Sequence, residues 1–206
     1  YDGGDTGLAS TRTLLFHSMP RTKFAPPFKS FPELIAYYEK FLAAGDITRP
    51  GDLWWIIRPQ PPLGTVEFRI FDIPTSVRRI GAFAALIQSA VATYQDRFFA
   101  GEPVSELHTG YLEENWWKAM RYGLNAKIVE PGTEEIITIS EQLRRLIELT
   151  APKAKELHAE QHHDFAGTMI EQGSESDLQR ALYKDLDGDL CALEKELAVR
   201  TLDFSM

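Results

Sequence analysis

Only one of the 206 residues is a cysteine, Cys191, so no disulfide can form within the chain. A reducing compartment follows as the expectation, which here means the cytoplasm. Long apolar runs are missing too. The most apolar candidate helix, Ile80 to Val91, is interrupted by Gln88 and Ser89 and falls short of the ~20 apolar residues of a membrane span. Positive charge is scarce: 22 Lys and Arg stand against 30 Asp and Glu, a formal net charge of −8. That field repels nucleic acid and anionic lipid, so neither is an expected partner. No secretory signal, repeat or low-complexity tract is visible, and residue 1 is Tyr rather than Met. The glycine-rich GGDTG, residues 3–7, lacks the lysine of a Walker loop.

What is present is ordinary globular material, 44% hydrophobic and 25% charged. At this length folding buries roughly 70% of the surface that the unfolded chain exposes. Asp5 or Thr6 is placed to cap a short helix through Arg12. SMPRTKFAPPFK is a proline-broken loop. Ser30-Phe31-Pro32-Glu33 matches a capping box, opening a helix to about Ala44 with Gly45 as its left-handed stop. Leu53 to Arg58 reads as a strand, PQPPLG as a tight connection and TVEFRIF as the hairpin partner.

The clearest helix spans about Ser76 to Ala100, where Ile80, Phe83, Ala84, Ile87, Val91, Tyr94 and Phe98 recur at helical spacing. A helix from about Tyr111 to Arg121 follows, then a hairpin around Pro131-Gly132. After Ser140 the pattern is helical, with breaks expected at Pro152, Gly167, Gly173 and Gly188. The fold class is therefore α+β in one domain, residues 1–206, with a strand-containing part at 1–139 and a helical part at 140–206.

The chemistry centres on GTVEFRIFD, Gly64 to Asp72. Alternation puts Glu67 and Arg69 on one strand face, and Val66, Phe68 and Ile70 on the other. Two readings are open: a wet antiparallel face carrying an ion pair, or the floor of a site. Trp54, Ile56 and Arg58 share a face of the preceding strand, so Arg58 can point to the same place, and Arg12 follows a glycine-rich loop. Three guanidinium groups beside one carboxylate suit an anion, since forked donors grip phosphate or carboxylate. The carboxylate then pairs with them or holds a divalent cation.

Taken together, GGDTGLASTRTLLF, WWIIRPQPPLGTVEFRIFD, AALIQSAVA and NWWKAMRYGL resemble the ATP-dependent carboxylate–amine ligases of the glutamate–cysteine ligase type 2 family, from residue 3 to about 165. The resemblance implies a glutamine-synthetase-like fold, with an antiparallel sheet curled into a funnel and helices outside. It implies ATP and Mg²⁺ as cofactors, and glutamate with cysteine or another small amine as substrates. Glu67 would be a Mg²⁺ ligand, Arg69 would contact the transferred phosphate, and Arg58 and Arg12 would hold phosphate or the amino-acid carboxylate. Asp5 and Thr6 would line substrate or nucleotide. Family members are nearly twice this length, so the expectation is the C-terminal part of a ligase. The alternative is a split or non-catalytic subunit that completes or regulates a partner chain. Members often dimerise, which makes a homo-oligomer the expectation.

Other patterns are weaker. His158 and His162 are four apart, but H-x-E-x-H lacks a third ligand and fits a solvated helix end better than zinc. DLDGDL has leucine where a calcium loop needs glycine. Trp116 and Trp117 read as packing, and Asn115 and Arg121 match the family helix N-x-x-x-A-x-R-x-G. Arg121 either reaches nucleotide or caps carbonyls at the helix end.

Overall fold

The computed structural model describes residues 4–103 and 107–201. These residues form eight α-helices and two separate antiparallel hairpins, an α+β composition. No helix among them is long and apolar enough to cross a membrane. The chain divides into two compact units: Arg12–Asp72, and Tyr1–Thr11 together with Ile73–Met206.

In the Arg12–Asp72 unit, α1 (Thr11–His17) leads through an irregular segment to α2 (Phe31–Ala44). The Ser30 hydroxyl accepts from Glu33 N, as the capping box requires, but the Glu33 carboxylate accepts from Lys29 N, one residue earlier than expected. Gly45, at φ 80°, closes α2 by donating to Leu42 O. Leu34, Tyr38, Ile47, Leu53 and Trp55 form the core, with Ala25, Phe28, Ile35, Tyr37 and Phe41 packed against it. The Tyr38 and Trp55 rings stack 5.8 Å apart.

Strand β1 (Ile57–Gln60) pairs with β2 (Thr65–Phe68), so the hairpin is shifted from the expected Leu53–Arg58 and TVEFRIF. Leu53, Trp55 and Ile56 are spent on the core instead. Arg69 N donates to Ile56 O, and ladder alternation then turns the nitrogen of Pro59 outward, where a missing N–H costs no ladder bond.

In the larger unit, α3 (Val77–Phe99) packs on α5 (Ile139–Glu156) and α6 (Glu160–Gln172). The face that α3 buries most deeply is not its large apolar stripe, although Phe83 of that stripe packs against the buried seam. Ala82, Ala85, Ser89 and Thr93 are buried, whereas Ile80, Val91, Tyr94 and Phe98 are exposed. Small side chains let neighbouring helices approach closely, with Phe165, Ala166 and Met169 filling the seam around Ala82.

Helix α4 (Thr109–Tyr122) precedes the hairpin of β3 (Lys127–Val129) and β4 (Ile136–Thr138). Asn115 is structural: its amide donates to Val129 O at 2.7 Å and accepts from Val129 N at 2.9 Å, completing one edge of β3. Two expected breaks do not occur. Pro152 lies inside α5, near its C-terminal end, and Gly167 lies inside α6. A proline removes one ladder bond, and this helix continues past it to Glu156, with His158 at φ 55° making the actual break. Gly173, at φ 92°, ends α6, and Gly188, at φ 78°, separates α7 (Glu175–Asp185) from α8 (Leu190–Thr201). Buried Arg79 joins α3 to this region through Glu175 at 3.2 Å and Gln172 at 3.0 Å.

Candidate functional site

On the β1–β2 hairpin the charged face is the covered one. Arg58 is 6% exposed, while Ile57 and Val66 on the opposite face are 47% and 51% exposed. The cause is the 3₁₀ turn Pro50–Asp52, which lies over Arg58: Nη1 donates to Gly51 O and, at 3.1 Å, to Leu53 O. Asp52 holds that turn by accepting from Thr48 N and Thr48 Oγ1, both at 2.9 Å. Those two bonds, with a smaller share from Arg49, lower its pKa from 3.8 to about 2.

Register places Arg58 opposite Glu67. Glu67 Oε2 accepts from Nε and Nη2 of Arg58 and from Gln60 Nε2 at 2.7 Å. Its Oε1 accepts from Arg69 Nη1 at 2.7 Å. Arg12 Nη1 reaches Arg69 O at 3.5 Å, and the guanidinium groups of Arg12 and Arg69 both lie over the Phe16 ring. Arg58, Glu67 and Arg69 thus come together as the alternation implies, with Arg12 of α1 reaching the backbone at Arg69. Burial alone would raise the Glu67 pKa, but hydrogen bonds from Arg58 and Gln60 and the charges of Arg58 and Arg69 outweigh it and lower it. Gln60 is a site residue that the strand assignment missed. It follows Arg58 by two and falls on the same face, so extending β1 past Pro59 would have found it.

Glu67 was the expected metal ligand. Both of its oxygens are engaged, and among the described residues no three His, Cys, Asp or Glu side chains are grouped to hold a metal. His158 and His162 form no such group either. His162 packs on Gly81, and His163, fully buried, shares a hydrogen bond with the Thr150 hydroxyl. Asp189 accepts from Ala192 N at the start of α8, as a helix break in DLDGDL requires.

Asp5 and Thr6 belong to the other unit, and neither caps α1. Asp5 Oδ1 accepts from Gly7 N at 2.9 Å and from Arg180 Nε and Nη2 at 3.3 and 3.0 Å. The Gly7 hydrogen bond, followed by Arg180, holds the Asp5 carboxyl below its usual value. Thr6 Oγ1 bonds Thr11 Oγ1 at 2.7 Å. Arg180 also donates to Leu8 O at 2.7 Å, and Ser10 N to Met120 O at 3.0 Å. Arg180 lies 175 positions from Asp5, and no local pattern announces it. Elsewhere in this unit an open cavity of about 530 Å³ is lined by Lys118, Tyr122, Asn125, Ala126 and Lys127, none of them an expected site residue.

Comparison with known proteins gives a consistent picture. The model of Glutamate-cysteine ligase family 2 matches residues 1–191. Three similar proteins share the name "Putative glutamate--cysteine ligase 2-1". That of Frankia alni is 35% identical over 188 residues, covering 91% of this chain and 49% of its own. That of Mycobacterium sp. (strain KMS) is 32% identical over 193 residues, covering 94% and 51%. That of Corynebacterium efficiens is 34% identical over 184 residues, covering 89% and 49%. The chain spans about half the length of the curated relatives it matches. It belongs to Glutamate-cysteine ligase family 2.

Proposed function

We propose that the polypeptide carrying this chain is an ATP-dependent carboxylate–amine ligase of glutamine-synthetase-like fold, joining glutamate to cysteine or another small amine. A carboxylate does not acylate an amine directly, because its leaving group would be oxide. Transfer of the γ-phosphoryl group of ATP to the acid gives an acyl phosphate. The amine attacks its carbonyl carbon, the C–O bond to phosphate breaks, and inorganic phosphate leaves as the amine loses a proton. Such chemistry depends on positioning and on neutralising phosphate charge rather than on a nucleophilic side chain.

The observation that carries this reading is the covered cluster of Arg58, Glu67 and Arg69 with Arg12 at its edge. One carboxylate fixes two guanidinium groups, leaving a net positive site for an anionic group. Arg69 is the group for the transferred phosphate, Arg58 and Arg12 for phosphate or carboxylate, and Asp5 and Thr6 for substrate or nucleotide in their own unit. ATP brings Mg²⁺ in this reading. The described residues do not fit a Mg²⁺ site by themselves, since the oxygens of Glu67 are taken and a hard cation needs several oxygen ligands. The remaining ligands, and the pockets for acid and amine, then fall to the length of the relatives that this chain does not span.

The test is ADP release by the complete polypeptide with glutamate and a panel of amines. Glu67→Gln keeps the side-chain shape and removes its charge, and Glu67→Ala removes both. Both variants should lose ATP-dependent turnover. Near-normal turnover in a folded Glu67→Gln protein would sink the reading.

A further inference from the structure

The loop from Gly4 to Ser10 is held at several points, and one charged group beside it is left over. Arg180 takes the Asp5 carboxylate and the Leu8 carbonyl, and Ser10 N is tied to Met120 O at the end of α4. Gly123 allows this fit, because a Cβ there would come within 3.2 Å of Ala9 Cβ. Against the turn lies the guanidinium of Arg121. A Cβ on Gly7 would sit 3.4 Å from its Nη1 and 3.6 Å from its Nη2. Gly7 has φ 69°, so glycine both permits the turn and leaves that guanidinium uncovered.

Arg121 is half-buried, and its one direct interaction among the described residues is with the Tyr122 ring at 5.3 Å. It caps none of the α4 carbonyls in the hydrogen bonds of that helix end, although it sits in the last turn. Asp5 feels its charge but is bonded to Arg180 instead. The Asp5 carboxylate is thus occupied by a second arginine, and among the described residues none accepts from the five-donor fork of Arg121.

We propose that Arg121, set against the Gly7 turn, is an oxyanion-binding residue that takes a carboxylate or a phosphoryl group in forked geometry. The geometry needs no particular reaction. The identity of the oxyanion rests on the ligase reading, in which it is the carboxylate of an amino acid or the phosphate chain of ATP. Charge-assisted hydrogen bonds of this kind are worth about 1.5–3 kcal/mol, which is roughly tenfold to a hundredfold in affinity.

The test is equilibrium calorimetric binding, without turnover, of tripolyphosphate, ATP and L-glutamate to the complete protein. Arg121→Ala and Arg121→Lys are compared with the unaltered protein. A loss of about tenfold or more for tripolyphosphate and ATP, with glutamate unchanged, assigns a phosphoryl group; a loss for glutamate alone assigns a carboxylate. Arg121→Lys should recover part of the affinity, since it keeps charge and loses the fork. Because Arg121 makes no hydrogen bond among the described residues, thermal unfolding of Arg121→Ala should match the unaltered protein, unlike that of Arg180→Ala. Unchanged affinity for all three probes, no binding by the unaltered protein, or unfolding of Arg121→Ala like that of Arg180→Ala overturns the proposal. These outcomes are distinct from failure of the ligase reading, which is read in ADP release and in the Glu67 variants.

Discussion

Two arginine-rich places in this chain differ in how they spend their charge. On the β1–β2 hairpin the cluster is closed: Glu67 accepts from Arg58, Gln60 and Arg69, and Arg58 donates to two carbonyls besides. Beside the Gly7 turn the arrangement is open: Arg180 consumes the acceptors and Arg121 keeps its donors. The closed Arg58–Glu67 pair fixes the geometry of Arg69 and Arg12 at its edge, whereas beside the Gly7 turn a guanidinium has no carboxylate of its own among the described residues. The difference can be tested because stability and binding should separate between the two.

The largest effect is expected at Glu67. Replacing it by Ala leaves the nearly buried Arg58 guanidinium without its carboxylate, and breaking a buried pair from one side costs on the order of 3 kcal/mol. Urea denaturation should show a lower midpoint with no change of slope. An unchanged midpoint would mean that the cluster is not closed in solution.

Arg180→Ala comes next. It removes donors to Asp5 and Leu8, but Asp5 is largely exposed, so about 1 kcal/mol is the expected global loss. Local opening should be the clearer sign, with faster amide exchange from residue 6 to residue 10. If exchange there matches the unaltered protein, the loop is held by something other than Arg180. Arg121→Ala should have the smallest effect on stability, under about 1 kcal/mol, because only a ring contact with Tyr122 is lost. Equal destabilisation by Arg180→Ala and Arg121→Ala would erase the contrast between closed and open sites.

Legibility in the sequence follows the same division. Period-two alternation was enough to place Glu67 beside Arg69 and to bring Arg58 toward them, because those contacts are local to one hairpin. Alternation could not say which face is covered, since the covering chain is the Pro50–Asp52 turn, and the apolar face stays exposed. On α3 the helical spacing was visible, yet the buried stripe is the one of Ala82, Ala85, Ser89 and Thr93. Periodicity identifies stripes, and the neighbours choose between them. The ties between Arg180 and Asp5 and between Asn115 and Val129 depend on tertiary placement, which residue types at a spacing do not encode.

A further effect concerns acid, and it reaches the closed cluster through its cover. Asp52 holds the 3₁₀ turn whose Gly51 carbonyl accepts from Arg58. Its pKa is lowered from 3.8 to about 2, so the unfolded chain takes up this proton at higher pH than the folded one. The resulting stabilisation is therefore present above pH 3.8, falls as pH drops from there and is gone below about 2. Glu67 shifts in the same direction, so it too loses its contribution only as pH falls through its lowered folded value. The amide resonance of Thr48, which donates to Asp52, should titrate with a midpoint near 2. Thr48→Ala, which deletes the hydroxyl donor, should move that midpoint up toward 3.8. A Thr48 amide that titrates near 3.8 in the unaltered protein would show that the turn is open in solution and that Arg58 is not covered from that side.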